Sequence, residues 1–572
     1  MASYFAAFAP APDWDDLVSW PPDVFALTNL VLDHTEGYRF VVAPPPGRRW
    51  PPLPDWGAQV QLAAEGWRSA AGEPSAQAPE LVRRCWDVVT RLRDVPLARI
   101  RSGDAWELDE ALLTLHSTAD EACAHVASAG TSASEQSFEA RAWRLLQARG
   151  SLSRLSPARV RIVPKTHFTL RGITIRSLSR YVALCYESVD VRWRSIESRP
   201  SEDRPDYTIV LVPWPLDVRA SDFRPAPPDV LANMDRDRFG FFEFAPESPL
   251  DTELLGALLE TAVDDAGRVD TVVLPEGAVS PEEIRGLEDT LAEHGATFLI
   301  AGVRQPPAGH CFGRNYLHFG VRSSAGWDRY EQDKHHRWFL DAGQIRQYHL
   351  TRSLDPRKLW WEAIDVRERT LHVIDVGGGV TTAPLVCEDL ARLDEVADLV
   401  RRIGPSLVVA LLLDGPQLAS RWPCRYASIL ADEPGSAVLT LTSSGMAARS
   451  RPPGKSRSRV VAHWNGPTDG PREIELAPRA AAVLLTAAVE GRTLWTADGR
   501  CHRNVPGLTL SGVHQLRPRG RSGTTIARRP AGPGRATASG PSGSGSPTGR
   551  GTPRRSRRAA RSAPARTRRR GS

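Results

Sequence analysis

From about Asp206 to about residue 516, short apolar runs rich in β-branched residues alternate with amphipathic stretches of helical period. TIVLVPWP, TVVLPEG and SLVVALLLD have the length and composition of buried strands, whereas ELLGALLETAVDD and EEIRGLEDTLAEHG repeat apolar residues at spacings of three and four. Strands that alternate with helices in this way pair into sheets whose faces the helices cover. The pattern therefore predicts an α/β unit over residues 205–516.

Residues 1–204 show a different pattern. Three segments, PELVRRCWDVVTRLRDV, DEALLTLHSTADEACAHVA and EQSFEARAWRLLQARG, carry apolar residues at helical spacing. They predict a mainly helical N-terminal domain, and RVRIVPKTHFTLRGITIRSLSRYVALCYESVDVRW near its end predicts a short strand pair followed by a helix. We recognise no catalytic motif here. The role of 1–204 stays open between binding a protein partner and restricting access to a site elsewhere.

The segment 517–572 holds 16 arginines and no acidic residue. Subtracting these 16 from the 73 basic residues leaves 57 against 67 acidic ones, so residues 1–516 are acidic although the whole chain has a net charge of +6. Gly, Ser, Pro and Arg leave little to bury, which predicts a disordered tail. Arginine clusters can bind nucleic acid phosphates, but no aromatic residue is present to stack on bases, so a solvated extension is the favoured interpretation.

Composition places the chain among ordinary soluble proteins, with 41% hydrophobic and 24% charged residues. No run of about 18 apolar residues predicts a membrane span, and the acidic N-terminal segment does not resemble a secretory signal. Seven cysteines are scattered singly, which predicts neither a disulfide framework nor a zinc ribbon. We expect a cytoplasmic protein.

Three short motifs lie at the ends of predicted strands, where α/β proteins commonly carry reactive groups. They are LPE at 274–276, YEQDK at 330–334 and CED at 387–389. Each motif alone has an ordinary explanation, because a glutamate after a strand is usually a solvated turn residue, a lysine is usually a surface charge and a lone cysteine is usually packing. Only the combination of Glu276, Lys334 and Cys387 in this order predicts chemistry.

In this order and with these neighbours, the motifs resemble those of the nitrilase superfamily of carbon–nitrogen hydrolases. The segments AGVR at 301–304 and RNYLHF at 314–319 also match, and the resemblance covers roughly 205–515. It implies a four-layer α-β-β-α sandwich, a homodimer or higher homo-oligomer, and an amidase-type enzyme that forms a thioester with its nucleophilic cysteine. A plain amide is favoured as substrate over a channelled glutamine, and an amide, a nitrile and a carbamoyl group would all suit the same three residues.

Elementary chemistry assigns each of these residues a role. A cysteine attacks as the thiolate, and a free thiol is mostly protonated at neutral pH. We expect Lys334 and the N-terminus of the helix that follows Cys387 to favour the anion, and Glu276 to accept the thiol proton. The Lys334 ammonium and the backbone N–H of Glu388 are our candidates for the oxyanion hole, and the Glu388 side chain is a candidate for lining the substrate pocket.

One element of the family pattern is missing at its expected place. Many members carry a second glutamate shortly after the lysine, where this sequence has Gln344. Glutamine can orient a lysine but cannot exchange protons, and Asp341 is the substitute that we consider. The alternative function is therefore a catalytically weakened interaction or regulatory module, conceivably in a defence-type assembly.

Neither a cofactor nor a metal is predicted. The three glycines at 377–379 follow a strand, yet they form no GxGxxG motif and open no helix, so a tight turn is favoured over nucleotide binding. His335 and His336 are adjacent in the sequence, and adjacent residues do not share a helix face as metal-binding histidines four apart do.

Overall fold

The structure is a computed structural model that describes residues 1–518, apart from 10–12, 72–76, 129–135, 168–171, 186–188, 196–205, 228–233, 309–310, 378, 393–395 and 452–455. Residues Met1–Arg519 form one compact unit. The predicted disordered tail lies outside the described residues from position 519 onward. No helix in the described part of the chain is long and apolar enough to cross a membrane.

The N-terminal region is mainly helical, as predicted. Its helices are α1 (Ala2–Phe5), α2 (Trp14–Leu17), α3 (Pro21–Thr35), α4 (Trp56–Ala71), α5 (Glu80–Arg91), α6 (Leu97–Ser102), α7 (Trp106–Ala122) and α8 (Phe138–Arg149). Helix α7 contacts α3, α4 and α5, and all but two of its residues are fully buried. It is therefore the central helix of this region.

Two seven-stranded sheets form the α/β unit. In spatial order, the first contains β10 (Gly326–Asp333), β9 (Arg314–Ser323), β8 (Phe298–Gln305), β7 (Thr271–Val279), β4 (Asp206–Leu211), β19 (Ala482–Trp495) and β20 (Cys501–Leu516). The second contains β18 (Gly470–Glu475), β17 (Val460–Gly466), β16 (Ala437–Thr442), β15 (Leu407–Leu412), β14 (Thr381–Val386), β13 (Thr370–Asp375) and β3 (Asp190–Ser195).

The two sheets pack face to face. Strand β7 contacts β15 and β16 across the interface, β9 contacts β14, and β20 contacts β17. The remaining helices are α9 (Thr252–Ala266), α10 (Ile284–Glu293), α11 (Ala342–Gln347), α12 (Glu388–Ala391), α13 (Asp398–Ile403), α14 (Trp422–Asp432) and α15 (Ser444–Arg449). Helices α9 and α10 pack against the first sheet and α14 against the second. The predicted four-layer α-β-β-α sandwich is confirmed.

Two smaller sheets complete the fold. One consists of β11 (Phe339–Leu340), β12 (Leu359–Glu362), β6 (Phe239–Phe244) and β5 (Phe223–Pro225), in that spatial order. The other is the antiparallel pair of β1 (Arg161–Pro164) and β2 (Val182–Cys185). This is the predicted strand pair, but the helix predicted after it is wrong, because β3 follows instead.

The predicted boundary at residue 204 does not separate two independent bodies. Strand β3 belongs by sequence to the N-terminal region, yet it pairs in parallel with β13 and forms the edge of the second sheet. Its sequence, DVRWRS, alternates in burial as an edge strand does, with Val191 and Trp193 facing inward. A hydrophobic core runs without interruption from the helices into the space between the sheets.

A buried ionic cluster also joins the helices to the β19–β20 hairpin. Arg500 lies in the turn between β19 and β20, and its guanidinium contacts the end of α7. Its Nη1 is 3.0 Å from Asp120 Oδ2 and 2.7 Å from Glu121 Oε1. Asp120 also accepts the backbone N–H groups of Arg180 and Tyr181. Because breaking one partner of a buried pair leaves an uncompensated charge, this cluster fixes the helical region against the hairpin.

We predict that a buried carboxyl in α7 makes folding sensitive to alkaline pH. Neither side-chain oxygen of Asp109 has a hydrogen-bond partner in the described structure, and burial raises its pKa to about 8. The pKa of an aspartate in an unfolded chain is about 4. Between this value and the pKa of folded Asp109, only the native state keeps the carboxyl protonated. The contribution of Asp109 to the free energy of unfolding is therefore fully present below about pH 4 and is lost as the pH rises to about 8. The free energy falls over this range by at most about 1.4 kcal/mol per pH unit.

Asp109→Asn removes this titration, and the stability difference between variant and wild type should grow in favour of the variant from pH 5 to pH 9. Denaturant unfolding across that range measures it. Asp87→Asn, on the exposed face of α5, is the matched control and should show a constant difference. If the free energies of unfolding of Asp109→Asn and wild type change in parallel with pH, the raised pKa of Asp109 is contradicted.

Candidate active site

The structure brings the three predicted residues together between the two large sheets. Glu276 lies within β7, Lys334 follows the last residue of β10, and Cys387 follows β14. Lys334 Nζ is 2.7 Å from Glu276 Oε1, and the Glu276 carboxyl is near enough to the Cys387 thiol to raise its pKa. All three side chains are shielded from solvent. The predicted grouping of these residues is thus present.

A bulge in β7 carries Glu276. Leu274 pairs with Ala301 and Val279 with Val303, so four residues of β7 lie opposite a single residue of β8. That residue is Gly302, where a Cβ would lie 2.4 Å from the Cα of Glu276 and 2.4 Å from the carbonyl oxygen of Pro275. The close approach of the two backbones therefore requires glycine in β8.

Lys334 is held between two carboxylates. Its Nζ donates to Glu276 Oε1 and to Glu362 Oε2, each at 2.7 Å, and its side chain is 0% exposed. Its backbone N–H donates to the carbonyl of Asn315 at 2.9 Å. Burial opposes the charge, but the two carboxylates outweigh it and raise the pKa of Lys334 well above its usual value. The lysine is therefore an ammonium group at rest.

Glu362 is the functional residue that sequence reasoning missed. It is the last residue of β12, in the small sheet, and it follows Lys334 by 28 positions. The expectation that Gln344 stands in the place of the second glutamate is wrong, and so is the choice of Asp341 as substitute. These two residues form the capping box of α11, with the Asp341 carboxylate accepting the Gln344 N–H and the Gln344 side chain accepting the Asp341 N–H.

Asn315 connects the two glutamates. Its side-chain nitrogen donates to Glu276 Oε1 at 2.7 Å and to Glu362 Oε1 at 2.6 Å. The backbone N–H of Leu413 donates to the other oxygen of Glu276 at 2.6 Å. Burial nevertheless raises the pKa of Glu276, with the ammonium of Lys334 acting against that rise. A carboxylate with a raised pKa is well suited to take up and return a proton.

Cys387 occupies a strained turn between β14 and α12. Its backbone N–H still donates to Leu411 of β15 at 2.8 Å, but its φ of 45° and ψ of −106° are unusual for a residue with a side chain. A turn of this kind sets the nucleophile of several hydrolases at the end of a strand. The first N–H of a helix has no partner within that helix, which leaves the Glu388 N–H beside the thiol for the predicted oxyanion hole.

Lys334 lowers the pKa of Cys387, the direction expected, but other effects outweigh it. Burial raises the pKa of Cys387 well above its usual value, the carboxyl of Glu276 raises it further, and the opposing effect of Lys334 is smaller. The charge of Lys334 is already shared by two carboxylates, so little of it remains to stabilise a thiolate. The resting nucleophile is a neutral thiol beside the Glu276 carboxyl.

The side chains next to the site brace it. The Asp389 carboxylate, in α12, accepts the backbone N–H of His335 at 3.2 Å and lies 2.9 Å from Nδ1 of His336. This ties the turn of Cys387 to the segment that carries Lys334. The Glu388 side chain is half-buried and, through its charge, raises the pKa of Cys387, which places it near the thiol. No histidine, cysteine and carboxylate cluster suited to a metal occurs among the described residues.

The free space behind the carboxylates is small. A cavity of about 30 Å³ is lined by Asn315, Glu362 and Leu413, among others. This is about the volume of one water molecule. The Asn315 side-chain oxygen, which has no partner among the described residues, is the polar atom available to such a water.

Comparison with solved structures finds carbon–nitrogen hydrolases. The chain is similar to a CN-hydrolase superfamily protein from Xanthomonas campestris, at 17% identity and a TM-score of 0.28, over 49% of this chain and 90% of that one. It is also similar to a nitrilase superfamily member from Saccharomyces cerevisiae, at 14% identity and a TM-score of 0.28, over 49% and 89% of the two chains. It is similar as well to a carbon–nitrogen hydrolase from Helicobacter pylori, at 11% identity and a TM-score of 0.28, over 48% of this chain and 86% of that one.

No protein-family model and no curated protein matches the chain. The structures found include members of the nitrilase superfamily, which the motifs of this sequence also resemble. At such low identities and TM-scores, however, the likeness carries no argument about chemistry or substrate, which rest on the geometry of the site.

We predict that removing the proposed base creates the thiolate. Glu276→Gln keeps the shape of the side chain but removes the negative charge beside the thiol, so the pKa of Cys387 should fall. The measurement is thiolate absorbance at about 240 nm, taken as the difference from the same protein with Cys387→Ala. As the pH is raised, this absorbance should stay flat for the wild type through neutral pH and should rise at a lower pH in Glu276→Gln. A Cys387 thiolate already present in the wild type at pH 7 would overturn the neutral resting state.

Proposed function

We propose that this protein hydrolyses a non-peptide carbon–nitrogen bond, with an amide as the favoured substrate and Cys387 as the nucleophile. The observation that carries the proposal is the buried, hydrogen-bonded cluster of Glu276, Lys334 and Glu362 next to the Cys387 thiol. A fold has no structural need for this costly arrangement of one ammonium and two carboxylates. Such clusters of groups with shifted pKa values are typical of active sites.

The first half of the proposed reaction forms a thioester. Cys387 Sγ bonds to the amide carbon while its proton passes to Glu276. The oxygen that becomes negative is stabilised by the Lys334 ammonium and by the N–H of Glu388. Glu276 then returns the proton to the nitrogen, the carbon–nitrogen bond breaks, and the amine leaves, or ammonia in the case of a primary amide.

The second half releases the acid. Glu276 accepts a proton from a water molecule as the water oxygen attacks the thioester carbon, and the carbon–sulfur bond breaks with the proton returning to Cys387. Glu362 and Asn315 act as positioning residues, because they contact Lys334 and Glu276 rather than the thiol. The same residues suit a nitrile carbon, which remains the second choice of substrate.

The alternative proposal is a weakened module that binds partners without turnover, and one of the two observations that favoured it no longer holds. It rested on the missing second glutamate, and Glu362 now supplies a carboxylate at Lys334. The other motive, the N-terminal helical region without a known role, is unaffected. We therefore keep the enzyme as the proposed function.

We predict that Cys387→Ala abolishes amide hydrolysis. Ammonia release from a panel of small aliphatic and aromatic primary amides measures turnover, and intact-protein mass spectrometry of the wild type detects the acyl adduct. Cys85→Ala, at a buried cysteine of α5, should keep the wild-type rate. Turnover by Cys387→Ala equal to that of Cys85→Ala would refute the assignment of the nucleophile, and no turnover in any of them would favour the non-catalytic alternative.

A further comparison tests the assignment of the second carboxylate. Glu362→Gln should lower kcat by about 100-fold or more, because Lys334 loses one of its two charged partners and its position relaxes. Gln344→Ala should leave kcat unchanged, since Gln344 only caps α11. The pH profile of kcat should also shift in Glu362→Gln, which a loss of folded protein alone would not produce. Equal effects of the two variants would contradict the geometry.

A further inference from the structure

A second, larger pocket lies on the other face of the small sheet. Its volume is about 560 Å³, within the range of about 300–1,000 Å³ that small-molecule sites occupy. Phe241 of β6 and Trp361 of β12 line it and face each other in the strand pairing. The next pair along these strands, Phe242 and Glu362, points to the opposite face. The pocket and the Lys334–Glu362 contact are thus on different sides of one sheet.

The pocket combines aromatic and positively charged walls. Phe239, Phe241 and Trp361 supply the apolar surface, and Arg337 and Arg392 supply the charge. No acidic side chain is among the described residues that line it. Arg337 is held in place by its Nε donating to Ile364 O at 2.9 Å and by its position over the Phe312 ring. Such a wall favours a ligand with a negative charge and a planar apolar part.

Two buried polar atoms in this wall lack partners. His335 is 2% exposed, and its Nε2 is hydrogen-bonded to Thr370 O at 2.9 Å, whereas its Nδ1 has no partner in the described structure. The Nε1 of Trp361 is also without one. Buried polar atoms are normally satisfied. A proton on Nε2 that the Thr370 carbonyl accepts leaves Nδ1 as an acceptor. Both atoms without partners are buried, so the groups that the pocket offers to a ligand are the aromatic rings and the two guanidinium groups.

We propose that this pocket binds an aromatic molecule carrying an anionic group, either a carboxylate or a phosphate. The rings of Trp361 and Phe241 contact the planar part, and Arg337 and Arg392 bind the anion. This goes beyond the hydrolysis at Cys387, because it requires no reaction. His335 and His336 line the pocket and are braced by Asp389, so the occupant touches the segment that positions Lys334.

Calorimetric titration of the full chain at neutral pH tests the proposal. The probes are 2-naphthoate and 2-naphthyl phosphate, with 2-naphthalenemethanol as the neutral ring and acetate as the anion without a ring. We expect one or both aromatic anions to bind, and each control to bind at least about tenfold more weakly. The tighter of the two anions identifies the group. Equal binding of the neutral ring, or no binding of either anion, would overturn the proposal.

Variants locate the binding. Arg392→Gln should weaken binding of the aromatic anion by about tenfold, and Trp361→Phe, which leaves a smaller ring, should weaken it by a smaller factor. Arg285→Gln, at an exposed arginine of α10, is the matched control and should bind as the wild type does. Unchanged affinity in both pocket variants would place the ligand elsewhere and overturn the proposal. Because heat of binding is measured, a protein without hydrolase activity still gives a clear result.

Discussion

The buried ammonium of Lys334 is the interaction on which the rest of the site depends. Removing a lysine from water is unfavourable unless charges of opposite sign and hydrogen bonds replace its solvent, and here Glu276 and Glu362 do so at 2.7 Å each. Glu276 belongs to β7 of the first large sheet, Lys334 follows the edge strand β10 of the same sheet, and Glu362 belongs to the small sheet. The ion cluster can therefore form only when these sheets have assembled, and the thiol of Cys387 arrives from the second large sheet.

The same cluster determines how the nucleophile is activated. With Lys334 shared by two carboxylates, the site has an excess of negative charge, and a resting thiolate would add to it in a medium that solvates charge poorly. Transfer of the Cys387 proton to Glu276 during attack leaves the total charge unchanged and places the new thiolate charge beside an ammonium that has just lost one carboxylate partner. The base and the stabilising cation thus become available in the same step.

Much of this could be predicted from the sequence, because local patterns define it. Glu276 and Cys387 each follow an apolar run, and the periods of the strands and helices around them predict an α/β unit, whereas the four-layer arrangement followed from the resemblance of the motifs. Glu362 and Asn315 were not. Glu362 closes a short strand of a small sheet whose pairing depends on distant segments. The choice of Gln344 failed because it followed the position of the second glutamate in the family pattern, whereas here the carboxylate at Lys334 comes from β12. Strand β3 was missed for a similar reason, since only its partner β13 makes it part of the α/β unit.

The two faces of the small sheet connect the site to the rest of the surface. Alternation along β12 sends Glu362 inward to Lys334 and Trp361 outward to the larger pocket, so consecutive residues of one strand belong to two different sites. The same holds after β10, where Lys334 points to the carboxylates and His335 lines the pocket. Trp361 and Glu362 are consecutive residues of β12, and Lys334 and His335 are consecutive in the segment that follows β10. The pocket and the contacts of Lys334 therefore share two stretches of backbone.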